Sequence, residues 1–190
     1  MLLSSALVRW GGLAALLAGV LFAAWGYIDR DVGPSYLIPV VVVLSYIVPL
    51  LFFLGLVGLQ VRCWGRVGWL GEIGFVLSFV ATGRGVAGRF VDVYACCYPY
   101  FVERGWPTLL LDWLVWLLVG LTLVGLAAIR TKALRGYGAL LLTMTLVGWI
   151  YFFTDSGDSL EAQVVHIVFG ILFSLSWVAL GCALLSEKVK

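Results

Sequence analysis

Apolar residues dominate this chain in six long runs, and nearly all of its charge falls in the short segments between them. The plainest run, Tyr36 to Leu59, contains no Asp, Glu, Lys, Arg or His and is long enough to cross a bilayer core of about 30 Å as a helix. The same pattern predicts helices over about 6–27, 69–91, 108–129, 137–153 and 163–185. The predicted fold is therefore all-α: a single membrane domain over 1–190, built as a bundle of six transmembrane helices joined by short loops.

The first run differs from a secretory leader because it is longer than a usual leader core and no Ala-x-Ala site closes it. Trp25 and Tyr27 instead read as an interfacial anchor, so the segment is expected to be retained. In the second run Pro39 falls in the first turn, where its missing N–H is harmless, and Pro49 falls in the middle. Pro49 is expected to kink that helix and to free the Ser45 carbonyl.

Composition agrees with lipid as the solvent: 63% of residues are hydrophobic, 12% are charged and the mean hydropathy is +1.10. Typical globular domains carry roughly 25% charged residues. The net charge of +2 is too small for nucleic-acid binding, and the basic residues lie in separate loops. Their distribution speaks of orientation. Arg9, Arg62, Arg66, Arg130, Lys132, Arg135, Lys188 and Lys190 fall on one side of six crossings, whereas Arg30 and Arg104 fall on the other, with Arg89 near the boundary. The positive-inside rule then puts both termini in the cytoplasm and the loops holding Cys96-Cys97 and Asp155/Asp158/Glu161 outside.

Small residues at every fourth position of the first helix, Gly11, Ala15, Gly19 and Ala23, make a flat stripe for close helix packing, within the chain or between copies. A faint echo links Leu56-Val-Gly-Leu59 to Leu123-Val-Gly-Leu126, and Gly71 to Gly138, at a constant offset. It hints at duplication of a helical hairpin, as in some transporters.

Charge inside a membrane helix marks a candidate site, and Arg84 is the leading case. It lies about 22 Å along the third helix from Trp69, in the outer third of the span, with Asp112 at a matching depth and His166 slightly above. Arg84, Arg89, Asp92, Asp112 and His166 form a hypothetical outward-facing cluster in which Arg84 and Asp112 pair. Such a cluster would bind an anion through the guanidinium or relay protons through the imidazole; its plainer roles are pairing and snorkelling.

Other chemistry finds little footing. Four cysteines, Cys63, Cys96, Cys97 and Cys182, offer no zinc-ligand spacing, and a single histidine excludes multi-His metal centres and His-pair haem ligation. No metal or cofactor is expected. The protease, hydrolase and nucleotide-loop motifs are missing, and the glycines around Arg84 follow no strand, so they are not a dinucleotide fingerprint.

Three phrases, Arg9-Trp-Gly-Gly-Leu-Ala-Ala, Gly65-Arg-Val-Gly-Trp-Leu-Gly71 and Gly125-Leu-Ala-Ala-Ile-Arg130 leading into Gly136, resemble Gly- and Leu-rich polytopic membrane proteins of bacteria. The resemblance implies a bacterial source and the inner membrane; it brings no catalytic or ligand residues. The expected function is a non-enzymatic structural or partner-binding membrane subunit, whose contacts are the bilayer and a protein partner or a second copy. A carrier of a small anion or proton is the alternative, and a lipid-modifying enzyme the third.

Overall fold

In a computed structural model of the chain, residues 2–28, 38–94, 113–131, 137–154 and 160–186 are described, with the backbone alone at 2–4, 25–28, 38, 39, 41, 42, 88–94, 160 and 162. The described residues form six helices: α1 (Leu2–Ile28), α2 (Ile38–Cys63), α3 (Gly68–Tyr94), α4 (Trp113–Thr131), α5 (Tyr137–Thr154) and α6 (Leu160–Ser186). Each contains a stretch long and apolar enough to cross a membrane. The molecule is thus a multi-pass helical membrane protein.

The helix boundaries differ from the sequence reading for local reasons. Helix α2 continues four residues past Leu59 to Cys63, because nothing in Gln60-Val-Arg-Cys63 breaks it. It stops at Gly65, whose φ of +70° is the left-handed conformation that closes helices, and the Arg66 N–H donates to the Cys63 carbonyl at 2.9 Å. Gly68, at φ +63°, then opens α3. Helix α3 runs on to Tyr94, three residues past the expected end at 91, and carries Asp92. Residues 108–112, expected to begin the fourth helix, lie outside the described residues.

A β-carbon at Gly65 would meet nothing within 4 Å, so the cost of alanine there is purely one of backbone conformation. Gly65→Ala is expected to destabilise the protein by about 1–2 kcal/mol, readable as a lower unfolding midpoint in detergent. An unchanged midpoint would mean that the turn does not hold its conformation.

The helices pack in chain order, and α6 returns to α1, closing an up-and-down ring. Lipid supplies no hydrophobic drive between helices, so backbones must come close enough for dispersion to act, and glycine permits that. Gly11 lies directly on Gly58, and a β-carbon at Gly55 would come within 3.1 Å of the Ala15 Cβ; these contacts make the α1–α2 seam. One step around α1, Gly12 faces the Gly181 carbonyl and Gly19 faces Ser174 and Val178, making the α1–α6 seam. Gly74 and Gly120 join α3 to α4, Gly125 and Gly138 join α4 to α5, and Gly148 and Gly170 join α5 to α6. The α2–α3 seam has no such glycine among the described residues and meets through Phe53 and Phe79, whose ring centres are 5.1 Å apart.

The interior of the ring is filled by aromatic side chains. Phe52 of α2 sits at the centre, 4.4 Å from the Trp177 ring, 5.8 Å from Phe22, 6.3 Å from Trp113 and 6.4 Å from Phe173. Phe22 also meets Phe173 and Tyr151 edge-on. Five helices thereby share one cluster, with Phe52, Phe173 and Trp177 fully buried. At one end, where α5 begins and α6 ends, the Tyr137 hydroxyl donates to the Ala183 carbonyl at 2.8 Å. That carbonyl is among the last four of α6, which have no partner within their own helix.

Candidate functional site

Arg84 follows from the register of α3. Trp69, Ile73, Val76 and Val80 recur at three- and four-residue spacing and are all exposed, so they define the face of α3 that looks away from the bundle. Gly83, Arg84 and Ala87 continue that face and are also exposed. Gly71, Gly74 and Gly85 lie on the opposite side, against Ala127, Gly120 and Trp113 of α4. Arg84 therefore stands on the side of the helix turned away from the bundle, about 24 Å along it from Gly68. A β-carbon at neighbouring Gly83 would meet nothing within 4 Å, and Arg84 takes part in no ion pair or hydrogen bond among the described residues.

His166 occupies the reverse environment. It lies early in α6, 4% exposed, with its ring centre 4.0 Å from that of Tyr151 on α5. Tyr151 in turn stacks on Phe173 and touches Phe22, so the imidazole extends the central aromatic cluster. Helices α3 and α6 are not neighbours in the ring, and Arg84 looks outward where His166 looks inward; the structure does not bring these two together. The side chains of Arg89 and Asp92, and Asp112 altogether, lie outside the described residues, as do Cys96, Cys97 and the acidic segment at 155–158.

Four buried hydroxyls serve their own helices. Ser78 donates to the Gly74 carbonyl, Thr82 to Ser78, Thr145 to Leu142 and Ser174 to Gly170, at 2.8–2.9 Å. This i−3/i−4 bonding hides hydroxyls in an apolar interior and leaves them poor candidates for chemistry. The Trp177 Nε1–H is fully buried and has no hydrogen-bond partner among the described residues. Sequence reading did not single it out, because a tryptophan in an apolar run gives no sign of whether its N–H is bonded.

Pro49 is buried, and α2 continues as helix on both sides of it. Gly11, Ala15 and Gly19 are buried between α1 and its two neighbours, and Ala23 is half-buried, so the stripe is occupied by contacts within the chain. The echoed segments sit in unlike surroundings: Leu56 and Leu59 are fully buried, whereas Leu123 is half-buried and Leu126 exposed. The echoed glycines are alike in being buried at close contacts: Gly58 against Gly11 and Gly125 against Leu142, Gly71 against Val67 and Gly138 against Ile129. Among the described residues no three His, Cys, Asp or Glu side chains converge to hold a metal ion.

Compared with family models, with characterised proteins and with solved structures, the chain finds no match in any of the three.

Proposed function

We propose that this chain is a non-enzymatic subunit of a bacterial inner membrane, with both termini cytoplasmic, that binds a protein partner through the outer face of α3. The observation that carries the reading is Arg84 on a membrane-facing stripe, with the open Gly83 and the small Ala87 beside it. An arginine facing lipid costs up to about 2.5–3.5 kcal/mol at mid-membrane and less near the interface, and a carboxylate on an adjoining helix offsets that cost. The small neighbours let such a helix approach closely. A second copy fits poorly: two α3 helices related by an axis along the membrane normal would set Arg84 against Arg84 at one depth.

The carrier reading draws on buried His166, but the centre of the ring is occupied by Phe52, Phe173 and Trp177 with no exposed surface. A lipid-modifying enzyme has even less to use, since the buried hydroxyls of Ser78, Thr82, Thr145 and Ser174 are turned back on their own helices and that of Tyr137 on the end of α6.

A photoreactive residue at position 83, introduced into the protein in its source membrane, tests the proposal. We expect a discrete protein adduct of higher mass whose yield falls severalfold when Arg84→Leu is added. Adducts to lipid alone, or a protein adduct indifferent to Arg84→Leu, would overturn it.

A further inference from the structure

Five of the six seams are closed by a glycine that brings two backbones together, and the α2–α3 seam, which has none among the described residues, is the loosest of the ring. The two halves of α2 are held differently. In the second half Gly55 lies on Ala15 and Gly58 on Gly11, so that stretch cannot leave α1 without breaking a backbone contact, and the Gly65 turn ties its end to α3. The first half, 38–48, contains no glycine. Its described buried side chains are Leu44, Ser45 and Val48, which can slide or rotate where a backbone contact cannot.

Pro49 falls at the junction of the two halves. It has no N–H to give the Ser45 carbonyl and its ring crowds that carbonyl, so the helix bends more cheaply there than at any other point along it. Three residues further on, Phe52 enters the aromatic centre, where it meets Phe22, Phe173 and Trp177. The centre therefore belongs to the fixed half. Seven residues before Phe52 is Ser45, and seven before Phe173 on α6, which runs in the same direction, is His166; each lies about 10 Å from the Phe52–Phe173 pair, toward the start of α2. Both are buried polar side chains at one level, on the movable side of Pro49.

We propose that the first half of α2 is a side gate of the ring, which swings outward about Pro49, parts from α3 and opens the bundle to lipid at the level of Ser45 and His166. A molecule dissolved in the bilayer reaches that level by this route without passing the aromatic centre. Arg84 takes no part in the movement, so the gate stands or falls independently of the partner-binding reading.

The test uses the full chain reconstituted in lipid vesicles, with its four native cysteines replaced by alanine and pairs of nitroxide labels read by pulsed dipolar EPR. Val40 and Leu54, one in each half of α2, are each paired with Leu146 on α5, which stands across the ring; all three are exposed, so the labels leave the packing intact. A bend of about 20° at Pro49 carries Val40, about 13 Å along the helix, outward by roughly 4–5 Å. We expect a single narrow distance for the 54/146 pair and, for 40/146, a second population longer by that amount, which Pro49→Ala reduces severalfold. Alanine is the better helix former, so this variant should fold, and the two pairs compared in the native helix decide the point even if it does not. A 40/146 distribution as narrow as that of 54/146, or a second population untouched by Pro49→Ala, would overturn the proposal.

Discussion

Gly58→Val should detach α1 from α2 and leave a protein that inserts but does not hold its tertiary structure in detergent. A β-carbon at Gly58 would come within 2.7 Å of the Gly11 Cα and 3.3 Å of the Leu7 carbonyl, and both obstacles are backbone. A flexible side chain can rotate away from an intruding methyl; a helix axis has to move. Overpacking a core costs about 1–3 kcal/mol where side chains can adjust, and about 3 kcal/mol or more is expected here because they cannot. Loss of the cooperative unfolding transition, or a fall in its midpoint well beyond that of Gly65→Ala, is the measurement. Gly83→Val is the internal comparison, since that position opens onto free space, and it should unfold close to the native midpoint. Equal losses at 58 and 83 would mean that close approach of α1 and α2 does not hold the ring together.

The second large effect is expected at Trp177. In water, truncating a buried tryptophan removes both transfer free energy and packing, but the unfolded helices of this protein stay in lipid, so the transfer contribution largely cancels. What remains is the cavity, at about 24 cal/mol per Å³. A void on the order of 100 Å³ left by Trp177→Ala corresponds to about 2–3 kcal/mol, spread over the contacts with Phe52 and Phe173. Trp177→Phe should cost clearly less, because the indole N–H makes no hydrogen bond among the described residues that the smaller ring would forfeit. Comparable losses for the two variants would show that the N–H has a partner after all, such as a buried water.

Much of this architecture was legible in the chain because lipid imposes a simple rule: a segment that spans must satisfy its own backbone, and it must be apolar for long enough. The 36–59 run and its five companions announce themselves that way, and their structural bounds differ by a few residues where a breaker such as Gly65 lies farther along than the apolar run suggests. Which glycine meets which helix was not legible. Gly11 and Gly12 are adjacent in sequence yet serve different seams, and only the helix order around the ring separates them. The candidate site was the least legible part. Depth along a helix follows from counting residues, and by that measure Arg84 and His166 sit close together. Azimuth depends on which neighbours a helix acquires, and it turns Arg84 to the outside and His166 to the interior. The sequence carried a periodic signal for Arg84's direction, in the spacing of Trp69, Ile73, Val76 and Val80; it became readable once Gly74 was seen against α4.

Because α1 is clasped on one side by α2 and on the other by α6, its packing is completed only after the five helices that follow it have been made. Until α6 emerges, the face bearing Gly12 and Gly19 has only lipid tails against it. A nascent chain that stops before α6 would therefore carry an open adhesive edge into the bilayer, and quality control in the membrane would have a defined surface on which to recognise the unfinished product.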